Sequence, residues 1–181
     1  PSGAHFVRDL YGERRQSTKD DLINFVKLAH LSPSIHTTGF MPCQASDVNR
    51  NERYLDALYA HIKFSDKPFN GAVGSALEAT HSIDIAKIIF GGDFLTDHQV
   101  LLADLNVRSP LKFDQNTLDV LQVYASSNQA SVISSMALLG ITCPMSIFGA
   151  LVQVTAEFIA GAVFAQIIQP GSPVVFGVFS A

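Results

Sequence analysis

Asn106 and Ser109 stand three residues apart where the apolar run Val100–Val107 (VLLADLNV) gives way to Pro110 and Leu111. Short polar side chains at the end of a buried strand can orient a carboxylate or a loop. They can equally satisfy the backbone where the strand stops. Gln153 and Glu157 are four residues apart and share one face of a long apolar helical stretch. An unpaired buried carboxylate is expensive, so this pair must find partners. It either anchors a strand-end loop behind a site or bonds neighbouring backbone, and the second is the default. Phe40, Phe176 and Phe179 close apolar runs, where side chains alternate between two faces and core packing is the ordinary role. Ser135 and Met136 end another such run, and Met136 and Met145 read as gap-filling core. His36 has no Cys, Asp or Glu at ligand spacing and reads as a hydrogen-bonded core residue, while His61 and His81 fall in helical patterns and look ordinary. Cys43 and Cys143 lie outside any CxxC or Cys/His spacing, which gives neither a zinc site nor a disulfide framework and suits a reducing cytoplasm.

Five β-rich runs must position these residues: Ile35–Phe40, Pro68–Val73, Val100–Val107, Ala130–Leu138 and Pro173–Phe179. Helical periodicity predicts helices over Lys19–Ala29, Asp47–Phe64, Ser75–Phe90, Thr117–Ser126 and Ser146–Gln169. Ser17 or Thr18, Ser75 with Glu78, and Asn116 are suited to cap three of them. Gly91 with Gly92 stop the third helix, and Pro170 with Gly171 stop the last. Strands recurring every few tens of residues, each followed by a helix, are the pattern of a parallel sheet built from βαβ units. No GxGxxG or GxxxxGK[ST] follows the first strand, which tilts the choice from an open doubly wound sheet to a closed barrel. A (β/α)8 barrel takes about 250 residues. About five of its units should fit in these 181 residues. The expectation is an incomplete TIM barrel over 1–181, truncated at both ends, since the chain opens at Pro1 without an initiator Met.

Composition bounds the function classes. With 48% hydrophobic and 15% charged residues, most elements should be covered on both sides. A net charge of −4 with no basic run argues against nucleic acid and anionic lipid as partners. Ser146–Gln169 is long enough to span a bilayer, which takes about 20 apolar residues. Glu157 stands in its middle, and a mid-bilayer carboxylate costs roughly 2.5 to 3.5 kcal/mol on insertion scales, so the buried-helix reading leads and no membrane is expected.

Several segments carry a resemblance. Arg8–Arg15 (RDLYGERR), Arg53–Ser75, Leu101–Asp114 with its Asn-x-x-Ser-Pro-Leu, and Met136–Gly177 with its Gly-Ala-Leu-Val-Gln-x-x-Ala-Glu look like the trimethylamine methyltransferase superfamily, over most of the chain. The resemblance implies a TIM-barrel enzyme that moves a methyl group from a methylated amine, such as trimethylamine or glycine betaine, to the cobalt of a corrinoid on a separate protein. It implies no prosthetic group on the barrel itself. Some members contain pyrrolysine; none is written in this chain, and the region that would hold it can lie beyond Ala181.

A cationic substrate suits aromatic faces at the carboxyl ends of barrel strands. On that rule the candidate substrate-binding residues are Phe40, Asn106, Ser109, Ser135, Met136, Phe176 and Phe179, beside Thr38, Gly39, Val73, Gly74 and Gly177. Gln153 and Glu157 are candidates to anchor the site from behind. No residue is assigned to catalysis or to a metal. No Asp-x-His-x-x-Gly run of the cobalamin-ligating kind is present, so the corrinoid belongs to a cognate partner. The contrasting expectation is a non-catalytic truncated barrel with a structural role. An incomplete barrel exposes strand edges and apolar faces, which predicts a homo-oligomer. An unrelated barrel using a phosphate-bearing substrate would need a Gly-rich loop after the late strands, which Gly171 and Gly177 alone do not supply.

Overall fold

A computed structural model describes residues 3–180, which form two compact units divided between Ala72 and Val73. The first unit opens with a hairpin of β1 (Phe6–Arg8) and β2 (Arg14–Gln16), paired antiparallel with Phe6 opposite Gln16. The sequence reading missed it, although Asp9 and Gly12 are turn residues: the Asp9 carboxylate accepts from the N–H groups of Tyr11 and Glu13, and Gly12 takes φ 87°. Helix α1 (Lys19–Leu31) starts at Thr18, which with Asp21 forms the reciprocal capping box. Arg15 adds two charge-assisted bonds to Asp21, at 2.6 and 2.8 Å, and holds that carboxyl far below the usual carboxylate range.

Helix α2 (Arg53–Phe64) begins six residues later than its periodicity predicts. Asp47 is spent elsewhere, accepting from the Lys19 N–H at 2.8 Å, and Asn49 turns the chain locally by accepting from the Asn51 N–H. The predicted strand over Ile35–Phe40 does not form. Its backbone makes single bonds, Thr38 to Pro68 and Asn70 to Gly39, and Gly39 at φ 69° breaks the extended run. The second predicted strand shrinks to β3 (Phe69–Asn70). His36 is therefore an exposed residue in an irregular segment rather than a strand residue.

His61, read as ordinary, is fully buried and ties α2 to this segment. Its Nε2 donates to the Phe40 carbonyl at 2.7 Å, leaving Nδ1 to accept from the Thr38 hydroxyl at 2.8 Å. Burial lowers its pKa against the opposing effect of the Phe40 carbonyl, so the neutral ring is the folded form. The Lys67 ammonium gathers the carbonyls of Ala29, Ser32 and Ile35 at 2.8, 2.6 and 2.6 Å and so closes the carboxyl end of α1. Lys67→Met should lower stability by about 2 kcal/mol in urea denaturation, because three carbonyls lose a charged donor at once.

The second unit carries the parallel sheet. Helices α3 (Ala76–Phe90) and α4 (Gly92–Asp97) precede β4 (Leu101–Val107), α5 (Gln115–Ser126), β5 (Ala130–Ala137), α6 (Ile147–Ile168) and β6 (Val174–Ser180). Gly91, at φ 88°, ends α3 and starts α4, a short helix the sequence reading missed. Asp114, not Asn116, caps α5, accepting from the Thr117 N–H at 2.7 Å. Strands β4, β5 and β6 pair in parallel, in sequence order, with a helix in each crossover. Register places Leu105, Ile133 and Phe176 in one row, and Asn106, Ser134 and Gly177 in the next. Alternation then sends these two rows to opposite faces.

Helices cover one face only. Ala103, Leu105, Val107 and Ile133 are buried on it, and Phe158 of α6 packs on Phe176 with ring centroids 5.0 Å apart. The other face, bearing Asp104, Asn106, Ser134, Met136, Gly177 and Phe179, is the open one. Helix α6 is long and apolar enough to cross a membrane by length and composition, with mean hydropathy 1.8. The expectation that it is a buried helix holds only for one stripe, Val154, Glu157, Gly161 and Ala165. Its outer side is uncovered, with Phe148 83% exposed. One sheet can bury only one side of a helix, which is why the composition argument overreached here.

Candidate functional site

The carboxyl ends of β4 and β5 border a cleft of about 480 Å³ lined by Asn106, Arg108, Ser109, Asp114, Met136 and Thr142. Each strand leaves the sheet into a tight loop. After β4, Arg108 pairs with Lys112 across a short bridge, and Arg108 Nε donates to the Asp114 carboxylate at 2.6 Å. The Thr117 N–H and side chain, then Arg108, hold the Asp114 carboxyl below its ordinary pKa. After β5, the Thr142 hydroxyl donates to the Met136 carbonyl at 2.7 Å and accepts from the Leu138 N–H at 2.9 Å.

Glu157 holds the first of these loops from the helix side. It is 1% exposed, yet fully engaged: Oε2 accepts from the Ser109 hydroxyl at 2.8 Å, and Oε1 from the Leu111 N–H at 2.8 Å and Gln153 Nε2 at 3.0 Å. The same Gln153 nitrogen donates to the Thr142 carbonyl at 2.7 Å, so one i, i+4 pair on α6 grips both strand-end loops. Leu111 sits at φ 52°, a left-handed conformation that costs a non-glycine residue roughly 1 to 2 kcal/mol, and its bonded N–H keeps it there. Burial pushes the Glu157 pKa up, but the Leu111 N–H, the hydroxyls of Ser135 and Ser109, and the Gln153 amide outweigh it, and the net shift is downward. Ser135 contributes through proximity, since its buried Oγ makes no well-aligned hydrogen bond.

The candidates named from sequence fall into three groups. Asn106, Ser109 and Met136 border the cleft, and Phe179 stands opposite Met136 in register on the open face, half exposed. Ser135 and Phe176 have the other parity: Ser135 turns to Glu157 and Phe176 to Phe158, so neither faces the cleft side of the sheet. Phe40 belongs to the first unit, where it packs on Leu22, Cys43 and Ala57. Thr38 is occupied by His61, and Gly39 by its turn. Among the described residues no group of three or more His, Cys, Asp or Glu is placed to hold a metal ion. Sequence reasoning missed Thr142, whose hydroxyl closes the second loop, and Asp104, although a lone charge in the apolar strand LLADLNV is a visible signal.

The strand-end cleft and its anchoring helix can be set against known proteins. The profile of the family described as Trimethylamine methyltransferase (MTTB) matches residues 1–181. The chain belongs to this family. It is 41% identical over 180 residues to the glycine betaine methyltransferase of Desulfitobacterium hafniense (strain Y51), covering 99% of this chain and 38% of that protein. Two Eubacterium limosum proteins are also similar: a proline betaine:corrinoid methyltransferase, 29% identical over 93% of this chain and 36% of its own length, and an L-carnitine:corrinoid methyltransferase, 26% identical over 97% of this chain and 38% of its own length. The chain thus spans less than two fifths of the length of these relatives. In this chain the Asn-x-x-Ser-Pro-Leu and Gln-x-x-Ala-Glu segments are joined physically, because Ser109 and Leu111 of the first are the partners of Glu157 in the second.

Proposed function

We propose that this chain is part of a (β/α)8-barrel methyltransferase that takes a methyl group from a quaternary amine of the betaine type and gives it to a corrinoid carried by a separate protein. The observation that carries this reading is the family match over residues 1–181, joined to relatives that are methyltransferases by name. The geometry supports it. Three successive parallel strands with helical crossovers suit a barrel segment, and the cleft lies at their carboxyl ends, where barrel enzymes place their sites.

On this reading Asn106 and Ser109 are polar groups of the site, with Met136 and Phe179 supplying apolar and aromatic surface at its mouth. Gln153 and Glu157 act through the loops they hold and touch no substrate. When docked, the corrinoid supplies the nucleophile. The protein's own work is to bind the amine, orient one methyl group outward and exclude water, which is catalysis by positioning. Two buried free cysteines suit a reducing cytoplasm.

Isothermal titration of the full-length protein against glycine betaine, proline betaine, carnitine and trimethylamine tests the assignment. At least one should bind, and Asn106→Ala should weaken it about tenfold or more while the thermal transition stays in place. Unchanged affinity in a folded Asn106→Ala variant would remove Asn106 from the site. Binding of none of the four would remove the amine reading.

A further inference from the structure

Of the carboxylates near the carboxyl half of this sheet, Asp114 is held by Arg108 and Thr117, and Glu157 and Asp104 are treated in opposite ways. Glu157, on the helix side, is met by three donors. Asp104, on the open face, is met by none: its Oδ1 is closed off from solvent and has no hydrogen-bond partner, and Asp104 forms no ion pair among the described residues. It precedes Asn106 by two residues on the same strand, about 7 Å along it. Its neighbour in register on β5 is Val132, which cannot donate. Asp104 as a whole is partly exposed, but a carboxylate oxygen shut off from water is hydrogen-bonded as a rule, because the charged form is costly in an apolar setting.

We infer that Asp104 supplies the negative charge that faces the ammonium of the methylated amine, below the layer formed by Asn106, Ser134 and Gly177. The inference rests on the amine methyltransferase reading and adds to it the residue that selects a cation. A quaternary ammonium carries no N–H and cannot use hydrogen-bond acceptors in the ordinary way. It is recognised by opposite charge and by apolar surface around its methyl groups. A donor-free carboxylate with Val132 beside it and Val175 next in the same row, and with Gly177 opposite Ser134 keeping the middle row low, offers both. Adding a Cβ at Gly177 would place it 2.1 Å from Ser134 Oγ, so the shallow floor at this row is built into the sequence.

The chemistry fixes which kinetic constant Asp104 governs. In the transfer the methyl C–N bond breaks and its electron pair stays on nitrogen, while the methyl group bonds to the cobalt(I) of the corrinoid acceptor. The nitrogen therefore loses its positive charge along the path. A fixed carboxylate stabilises the charged amine more than the transition state, so it favours binding and selectivity and does not raise the rate of the chemical step.

The test compares glycine betaine with its carbon isostere 3,3-dimethylbutanoate, which keeps the carboxylate and lacks the cationic nitrogen, on the full-length protein by titration calorimetry. The wild type should prefer the betaine. Asp104→Asn should reduce that preference about tenfold or more, chiefly through weaker betaine binding, with the isostere little changed. In turnover, KM for the amine should rise while kcat holds or increases. An equal loss for both ligands, or an unchanged preference, overturns the assignment. Should Asp104→Asn not fold, Asp104→Ser is read in its place, and failure of both to fold assigns the carboxylate to the fold and overturns the proposal. If the wild type binds no methylated amine at all, the functional reading fails first; if it binds one and the preference survives in the variant, only this inference fails.

Discussion

Glu157→Ala should destabilise the protein by about 3 kcal/mol or more in urea denaturation, the largest loss expected of any single truncation on α6. Three donors converge on this buried carboxylate, from Ser109, Leu111 and Gln153, and alanine leaves all of them without an acceptor in a place water does not reach. The positive φ of Leu111 also loses the bond that holds it. Glu157→Gln keeps the shape but turns an amide donor toward donors, so it should recover only part of the loss. Activity of the full-length protein should fall with both variants, because the loop that leaves Asn106 is no longer fixed. The pH dependence has a definite sign. The folded carboxyl has a pKa below its ordinary 4.5, so its stabilising contribution is complete above that value and is lost as the pH falls through the lower, folded one. In Glu157→Gln the part of acid lability that comes from this group should vanish, which acid titration of both proteins by circular dichroism would show.

Gly177→Ala is expected to cost about 2 kcal/mol, although alanine is the smallest possible addition. Its Cβ would fall 2.1 Å from Ser134 Oγ and 3.1 Å from both Ser134 Cβ and Val132 Cγ1, across a parallel pair whose spacing is fixed by backbone bonds. The hydroxyl can turn aside, but the two carbons cannot. Combining Gly177→Ala with Ser134→Ala removes the nearest atom and should recover part of the loss, so thermal melts of the single and double variants should be non-additive. Additive losses would mean that the sheet relaxes at this row rather than resisting.

How far the sequence could be read depended on how local the signal was. Strands β4, β5 and β6 and helices α3, α5 and α6 follow from periodicity and end signals, and their observed bounds differ from the predicted ones by a residue or two. The Ile35–Phe40 strand failed because a glycine at positive φ interrupts an otherwise β-rich run, and nothing local distinguishes that glycine from one in a strand. Asn116 looked like a cap, but Asp114 two residues earlier is in reach of the Thr117 N–H and is held by Arg108 as well. The lining of the candidate cleft was legible at Asn106, Ser109 and Met136, because strand ends can be counted. It was not legible at Ser135 and Phe176, where one residue of parity decides the face. The pairing of Gln153 and Glu157 could be seen as a shared helix face, but their partners, Ser109, Leu111 and Thr142, come from loops that only the tertiary fold brings beneath α6.

The central claim is most directly tested by methyl transfer itself. Full-length protein is incubated with reduced free cob(I)alamin and one amine at a time, glycine betaine first, and methylcobalamin is followed by its absorbance. The account predicts formation with at least one quaternary amine, and its loss in a folded Asn106→Ala variant. A folded wild-type protein that methylates cobalamin with none of the betaines, carnitine or trimethylamine would contradict it.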